Sequence, residues 1–253
     1  MEYVSDPNLP DGNVCLALAD GRISAEAEHG LKMLGAEIIR IHPHPDLYDA
    51  VYGHPDMLFH HAGGRLIIYA PGADPEAVSK LGSLGFQMVM GESRLSPEYP
   101  GDIAYNAARV GKWYFHNLKY TDIRIKEAME RMGIEPVHVA QGYTKCSVLP
   151  VDGNSIVTSD KGIAGAARKK GLEVLLLECG DSIRLPGLDY GFIGGACGML
   201  SDSVCAINGS LAKLKDFKSF LSFLSERNIS VVEISKDRVT DIGSILPLMI
   251  RTQ

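Results

Sequence analysis

A chain of 253 residues, 45% hydrophobic and 22% charged, has an ordinary globular composition, which excludes a disordered or fibrous protein. The formal net charge is −6 and the 25 Lys and Arg are dispersed along the sequence, which argues against a nucleic-acid face. No apolar run approaches the roughly 18 residues of a membrane span, and the opening MEYVSDPNLPDGN has no apolar signal core, so a soluble cytoplasmic protein is expected.

Taken in chain order, one phrase recurs: a helix, a stop residue, then a short β-branched strand. It reads EHGLKMLG then AEIIRI; EAVSKLGSLG then FQMVMG; IKEAMERMG then IEPVHV; IAGAARKKG then LEVLLLE; and FLSFLSERN then ISVVEI. The stops are Gly35, Gly85, Gly133, Gly171 and Asn228, the residue types that most readily adopt the left-handed conformation just past a helix. Their spacings of 50, 48, 38 and 57 residues predict a structural repeat with variable loops. The densest basic cluster, Arg168, Lys169 and Lys170, closes one of these helices, where it complements the helix dipole.

Each helix is preceded by an apolar strand: VCLALA, RLIIYAP, KWYFHN, SIVTSD and SVCAING. Upstream of the last four lies a further strand: DMLFHHAG, DIAYNAAR, KCSVLPV and YGFIGGACG. The first copy lacks that strand, and DIGSILPLMI at the far end supplies it. Ser147-Val-Leu-Pro-Val151 and Ser244-Ile-Leu-Pro-Leu248 are the same phrase at corresponding places. The pattern predicts residues 1–253 as one α/β domain of five strand-strand-helix-strand units. The C-terminal strand would pair beside Val14 to Ala19 and close the ring.

Such a five-unit ring resembles the pentein fold, a β/α-propeller of ββαβ units. That superfamily includes arginine and agmatine deiminases, dimethylarginine hydrolases, amidinotransferases and a ribosome anti-association factor. GYTKCSVLP, LPGLDYGFIGGACG and DIGSILPL also resemble phrases of an uncharacterised bacterial family. The pentein resemblance implies a Cys nucleophile on the C-terminal strand, a His on the first strand of the fourth unit, and carboxylates gripping a guanidinium. Here DIGSILPLMI contains no Cys, Ser244 is its only nucleophile, and no His stands near Gly142-Tyr143-Thr144-Lys145. The resemblance therefore implies a small polar ligand, an amine or guanidino compound, at an acidic channel without the usual Cys/His pair. Any turnover expected is hydrolysis at a C–N bond, and no cofactor is expected.

In such a ring the first strands line the channel, so polar residues at their starts converge. Asp56, Asp102, Lys145, Asp189 and Asp241, one from each unit, are the expected ligand-binding set, together with Asn106. Candidate catalytic groups are Ser244, His60 and Cys197, the last within the glycine-rich Gly194-Gly195-Ala196-Cys197-Gly198. His42, His44, His54, His60 and His61 crowd into twenty residues beside Asp46 and Asp56. No pair has the helix spacing of a zinc motif, so no metal ligands are assigned, and metal-dependent hydrolysis stands as a second alternative. The first alternative is a noncatalytic protein that works through contacts with a protein partner. The five cysteines, Cys15, Cys146, Cys179, Cys197 and Cys205, are an odd number with no Cys-x-x-Cys pair and read as free thiols.

Overall fold

A computed structural model describes residues 1–252. The chain opens with β1 (Glu2–Tyr3), β2 (Val14–Asp20), α1 (Ala25–Met33) and β3 (Glu37–Ile41). A second unit follows as α2 (Pro55–Leu58), β4 (Phe59–Gly63), β5 (Leu66–Tyr69), α3 (Pro75–Ser83) and β6 (Gln87–Met90). The third is β7 (Ala108–Val110), β8 (Trp113–His116), α4 (Ile123–Arg131) and β9 (Glu135–His138). The fourth comprises α5 (Thr144–Ser147), β10 (Val148–Asp152), β11 (Ser155–Thr158), α6 (Lys161–Lys169) and β12 (Glu173–Leu176). The fifth is α7 (Ile193–Ala196), β13 (Cys197–Met199), β14 (Val204–Ile207), α8 (Phe217–Ser225) and β15 (Ser230–Glu233), after which comes β16 (Leu246–Ile250).

These strands form five small sheets, four of three strands and one ordered β1-β16-β2-β3. In every sheet an antiparallel pair is followed by a parallel pair whose crossover is the long helix. A parallel pair needs such a crossover, and an amphipathic helix that covers the sheet satisfies both demands. The helices bury residues one turn apart, Ala27 and Leu31 on α1, Ala77 and Leu81 on α3, Phe220 and Leu224 on α8. The largest apolar cluster draws residues from several sheets, including Leu18, Phe59, Tyr105, Cys146 and Leu246.

The terminal strand pairs antiparallel with β2, Leu246 opposite Leu18 and Ile250 opposite Val14, which is the expected closure of the first unit. On its other side it takes β1, Glu2 opposite Ile250, a pairing that two residues of sequence do not announce. Among the described residues no single sheet runs around the ring; the propeller-like arrangement comes from five separate sheets. All five stop residues are left-handed, with φ of +92° at Gly35, +91° at Gly85, +68° at Gly133, +84° at Gly171 and +58° at Asn228. Ser24, Asp74, Asp122 and Asp160 cap the starts of their helices by accepting backbone N–H bonds.

The inner strands begin later than the sequence pattern places them. Pro55–Leu58, Thr144–Ser147 and Ile193–Ala196 are single helical turns that end where β4, β10 and β13 begin. A four-residue turn is too short to show a periodicity that separates it from strand, so the pattern merges the two.

Candidate functional site

The one-turn helices shift which residues point inward. One position from each unit meets at the centre: Asp56 on α2, Asn106 before β7, Lys145 on α5, Gly194 on α7 and Ser244 before β16. The Asn106 amide donates to the Asp56 carbonyl at 3.0 Å and accepts from the Lys145 backbone N–H at 2.7 Å. Lys145 Nζ donates to Ser244 Oγ at 2.8 Å. The Ser244 hydroxyl lies 2.7 Å from Asp56 Oδ2 and 2.9 Å from the Gly194 carbonyl, so its single proton has two acceptors. Ser244 holds φ at +72°, a left-handed conformation that is unusual for a side chain other than Gly or Asn. Cys146 Sγ is 3.1 Å from Asp56 Oδ2.

At the axis of the expected channel these side chains are packed against one another. What remains is a cavity of about 10 Å³, lined by Asp56, His60, Arg109 and Lys145 among others, about the space one water requires. Glycines at 194 and 195 serve this packing. A Cβ on Gly194 would strike the Lys145 and Val148 carbonyls, and one on Gly195 the Asp241 carboxylate. The glycine-rich stretch thus brings backbone close to the hub.

Above the hub, in loops that connect the sheets, lie the other acids. Asp102 is fully buried, accepts the Tyr143 hydroxyl at 2.5 Å and leaves Oδ1 without a partner. Asp241 accepts from the Phe192 and Gly243 backbone N–H groups, at 2.9 Å each. Burial raises both carboxyls above the usual range, against the pull of their hydrogen bonds. Among the described residues neither these acids nor Asp56 forms an ion pair with Lys or Arg, and Asp241 has His54 Nδ1 at 3.9 Å. Lys145, wholly buried, has its ammonium pushed below the usual value by desolvation, opposed by the Asp56 charge. Tyr48, Tyr143 and Phe192 roof this region. Tyr48 and Tyr143 hydroxyls are 3.2 Å apart, and Tyr143 packs on Phe192 at 6.2 Å and on Tyr99 at 5.7 Å between centroids.

Of the expected site residues, the structure brings together Asp56, Asn106, Lys145 and Ser244, with Asp241 and Asp102 adjoining. His60 lines the small cavity, buried, its imidazole held at about 3 by desolvation and then by the charges of His61, His116 and Arg109. Asp189 is a correction: it is exposed in the loop before α7, because that unit's inward position belongs to Gly194. Cys197 is another, for it sits on β13 in an apolar cluster, where burial pushes its thiol well up and leaves a weak nucleophile. Sequence reading named His54 only as one of the 42–61 histidines, without its place between Asp20 and Asp241, and it missed the Tyr48 and Tyr143 roof. The signals were His54 preceding Pro55-Asp56, and Tyr143 two residues before Lys145.

A model of a family of unknown function (DUF6873) matches residues 18–246. The chain belongs to that family. No curated protein matches it. Among solved structures it is similar to SxtG, an amidinotransferase from Microseira wollei in the saxitoxin biosynthetic pathway, at 10% identity and a TM-score of 0.58, covering 97% of this chain and 98% of that one. The inosamine-phosphate amidinotransferase StrB1 from Streptomyces griseus is similar at 11% identity, TM-score 0.58, over 100% and 98% of the two chains. DDAH from Pseudomonas aeruginosa, solved with citrulline, is similar at 10% identity, TM-score 0.58, over 94% and 100%. At such identities the likeness shows the fold, and the fold is that of the penteins. No helix among the described residues is long and apolar enough to cross a membrane.

Proposed function

We propose that this family member binds a small organic cation, an amine or guanidino compound, between the roof of Tyr48, Tyr143 and Phe192 and the acids beneath it. One observation carries the reading: Asp56, Asp102 and Asp241 are buried with a single Lys among them and no ion pair to it. Buried charge without a partner is costly, and a cationic ligand offsets that cost. Carboxylates also hold a guanidinium by paired, charge-assisted hydrogen bonds, and an aromatic roof favours a cation over its face. The pentein neighbours named above as amidinotransferases are consistent with such a ligand.

For turnover at a C–N bond, Ser244 is the attacking group. Its oxygen forms the bond to the guanidinium carbon while its proton passes to Lys145 in its unprotonated form, and Lys145 then protonates the leaving nitrogen. Ammonia leaves, and water attacks the resulting O-linked isouronium carbon in a second step, which releases the ureido product and frees the Ser244 hydroxyl. The noncatalytic alternative has one observation in its favour, the filled axis. A thermal-shift screen separates the two: agmatine or arginine stabilises the wild type, nucleotides and sugar phosphates do not, and Asp102→Asn with Asp241→Asn removes the shift. If no cation stabilises the protein while a protein partner co-purifies, the noncatalytic reading replaces this one.

A further inference from the structure

One corner of the hub has a composition of its own. His54, at the N-cap of α2, Asp56 on that helix and Cys146 on α5 of the fourth unit are buried, with donor atoms all within 4.8 Å of one another. Both ring nitrogens of His54 lack a hydrogen-bond partner although the residue is 1% exposed, and Asp56 Oδ1 lacks one as well. Native proteins pair nearly all buried polar atoms, so three orphaned atoms in one corner call for an occupant.

We propose that His54, Asp56 and Cys146 hold a borderline-soft divalent ion of the zinc type, with Asp241 or a water completing a tetrahedron. Ligand chemistry selects the ion class. Imidazole and thiolate suit zinc, cobalt or copper, whereas magnesium and calcium take oxygen donors. Tetrahedral zinc ligands stand roughly 3.3 to 3.5 Å apart given their bond lengths, so closing this set asks for shifts of at most about 1.5 Å. Asp241 Oδ1, 3.9 Å from His54 Nδ1, is too far for a hydrogen bond and near the spacing of two ligands on one ion. Binding expels the thiol proton, so thiolate and carboxylate together balance the 2+ charge while His54 remains neutral.

This assignment goes beyond the organic-cation reading and does not depend on it. The two fail separately when agmatine shifts are measured in EDTA and metal binding is measured without amine. The probe is Co²⁺ added to chelator-treated full-length protein. The expected result is one ion per chain and a thiolate-to-cobalt charge-transfer band in the near ultraviolet that Zn²⁺ displaces and Mg²⁺ does not. Cys146→Ser removes the band and His54→Ala weakens binding at least tenfold. Because Cys146→Ser could fail to fold, Cys15→Ala, Cys179→Ala, Cys197→Ala and Cys205→Ala are made singly, and each keeps the band. No band in the wild type, a band that survives Cys146→Ser, or one lost with another cysteine overturns the proposal, leaving the orphaned atoms to water.

Discussion

The outer shell and the centre of this molecule obey opposite rules. Outside, five helices end on the same kind of residue for the same backbone reason, so Gly35, Gly85, Gly133, Gly171 and Asn228 are interchangeable parts. At the centre the five units contribute Asp56, Asn106, Lys145, Gly194 and Ser244, no two alike, and each is defined by the others. Repetition therefore writes the fold, and departure from repetition writes the site.

The largest expected break in this comparison is at the joint between the two. Ending the chain after Thr240 removes β16 from between β1 and β2 and takes Asp241 and Ser244 with it. Cooperative folding is lost, measured as the disappearance of a sigmoidal urea transition. A truncated protein with an unchanged midpoint contradicts the closure.

Acid sharpens the comparison next, because the inner layer holds neutral histidines. Burial lowers His60 to about 3, and His61 and His116 to about 4, from 6.5. Above pH 6.5 all three are neutral folded or unfolded, and their contribution is complete. As pH falls below that value the unfolded chain takes up protons that the folded chain refuses, so stability falls until the folded values are reached. Each imidazole adds up to about 1.4 kcal/mol per pH unit. The raised carboxyls of Asp102 and Asp241 act in the opposite sense, their contribution lost as pH rises. His60→Gln isolates one histidine and flattens the slope between pH 6 and 4 by about 1 kcal/mol per unit. Equal slopes in wild type and variant would show that His60 titrates freely.

The smallest effects are expected in the shell. Gly171→Val costs over about 1 kcal/mol, since a β-branched residue resists φ near +84°, while Asn228→Gly is neutral within about 0.5 kcal/mol. Denaturant midpoints check both, and a neutral valine variant would refute the left-handed requirement.

This contrast also explains what the sequence disclosed. The helix stops, the inner and outer strands and the return of DIGSILPLMI to the first unit rest on local backbone demands, and these are legible residue by residue. Asp56, Asn106, Lys145 and Ser244 were legible because polar residues stand out in apolar strands. Asp189 misled because Leu188-Asp-Tyr-Gly resembles a turn entering a strand, whereas the inward position lies five residues later at Gly194, which has no side chain to betray it. The place of His54 beside the hub and the tyrosine roof were hidden for a different reason. They act from loops, whose placement depends on the packing of all five sheets.

The claim that the centre is one coupled unit is tested most directly by a double-mutant cycle between Asp56 and Lys145, which come from different units and meet through Ser244. Lys145→Met removes the donor to Ser244 Oγ and the cation whose field reaches Asp56, and should cost about 3 kcal/mol or more, and Asp56→Asn alone should also destabilise. The double variant is expected to lose less than the sum of the singles by over about 1 kcal/mol, whereas additivity within about 0.5 kcal/mol would contradict the account.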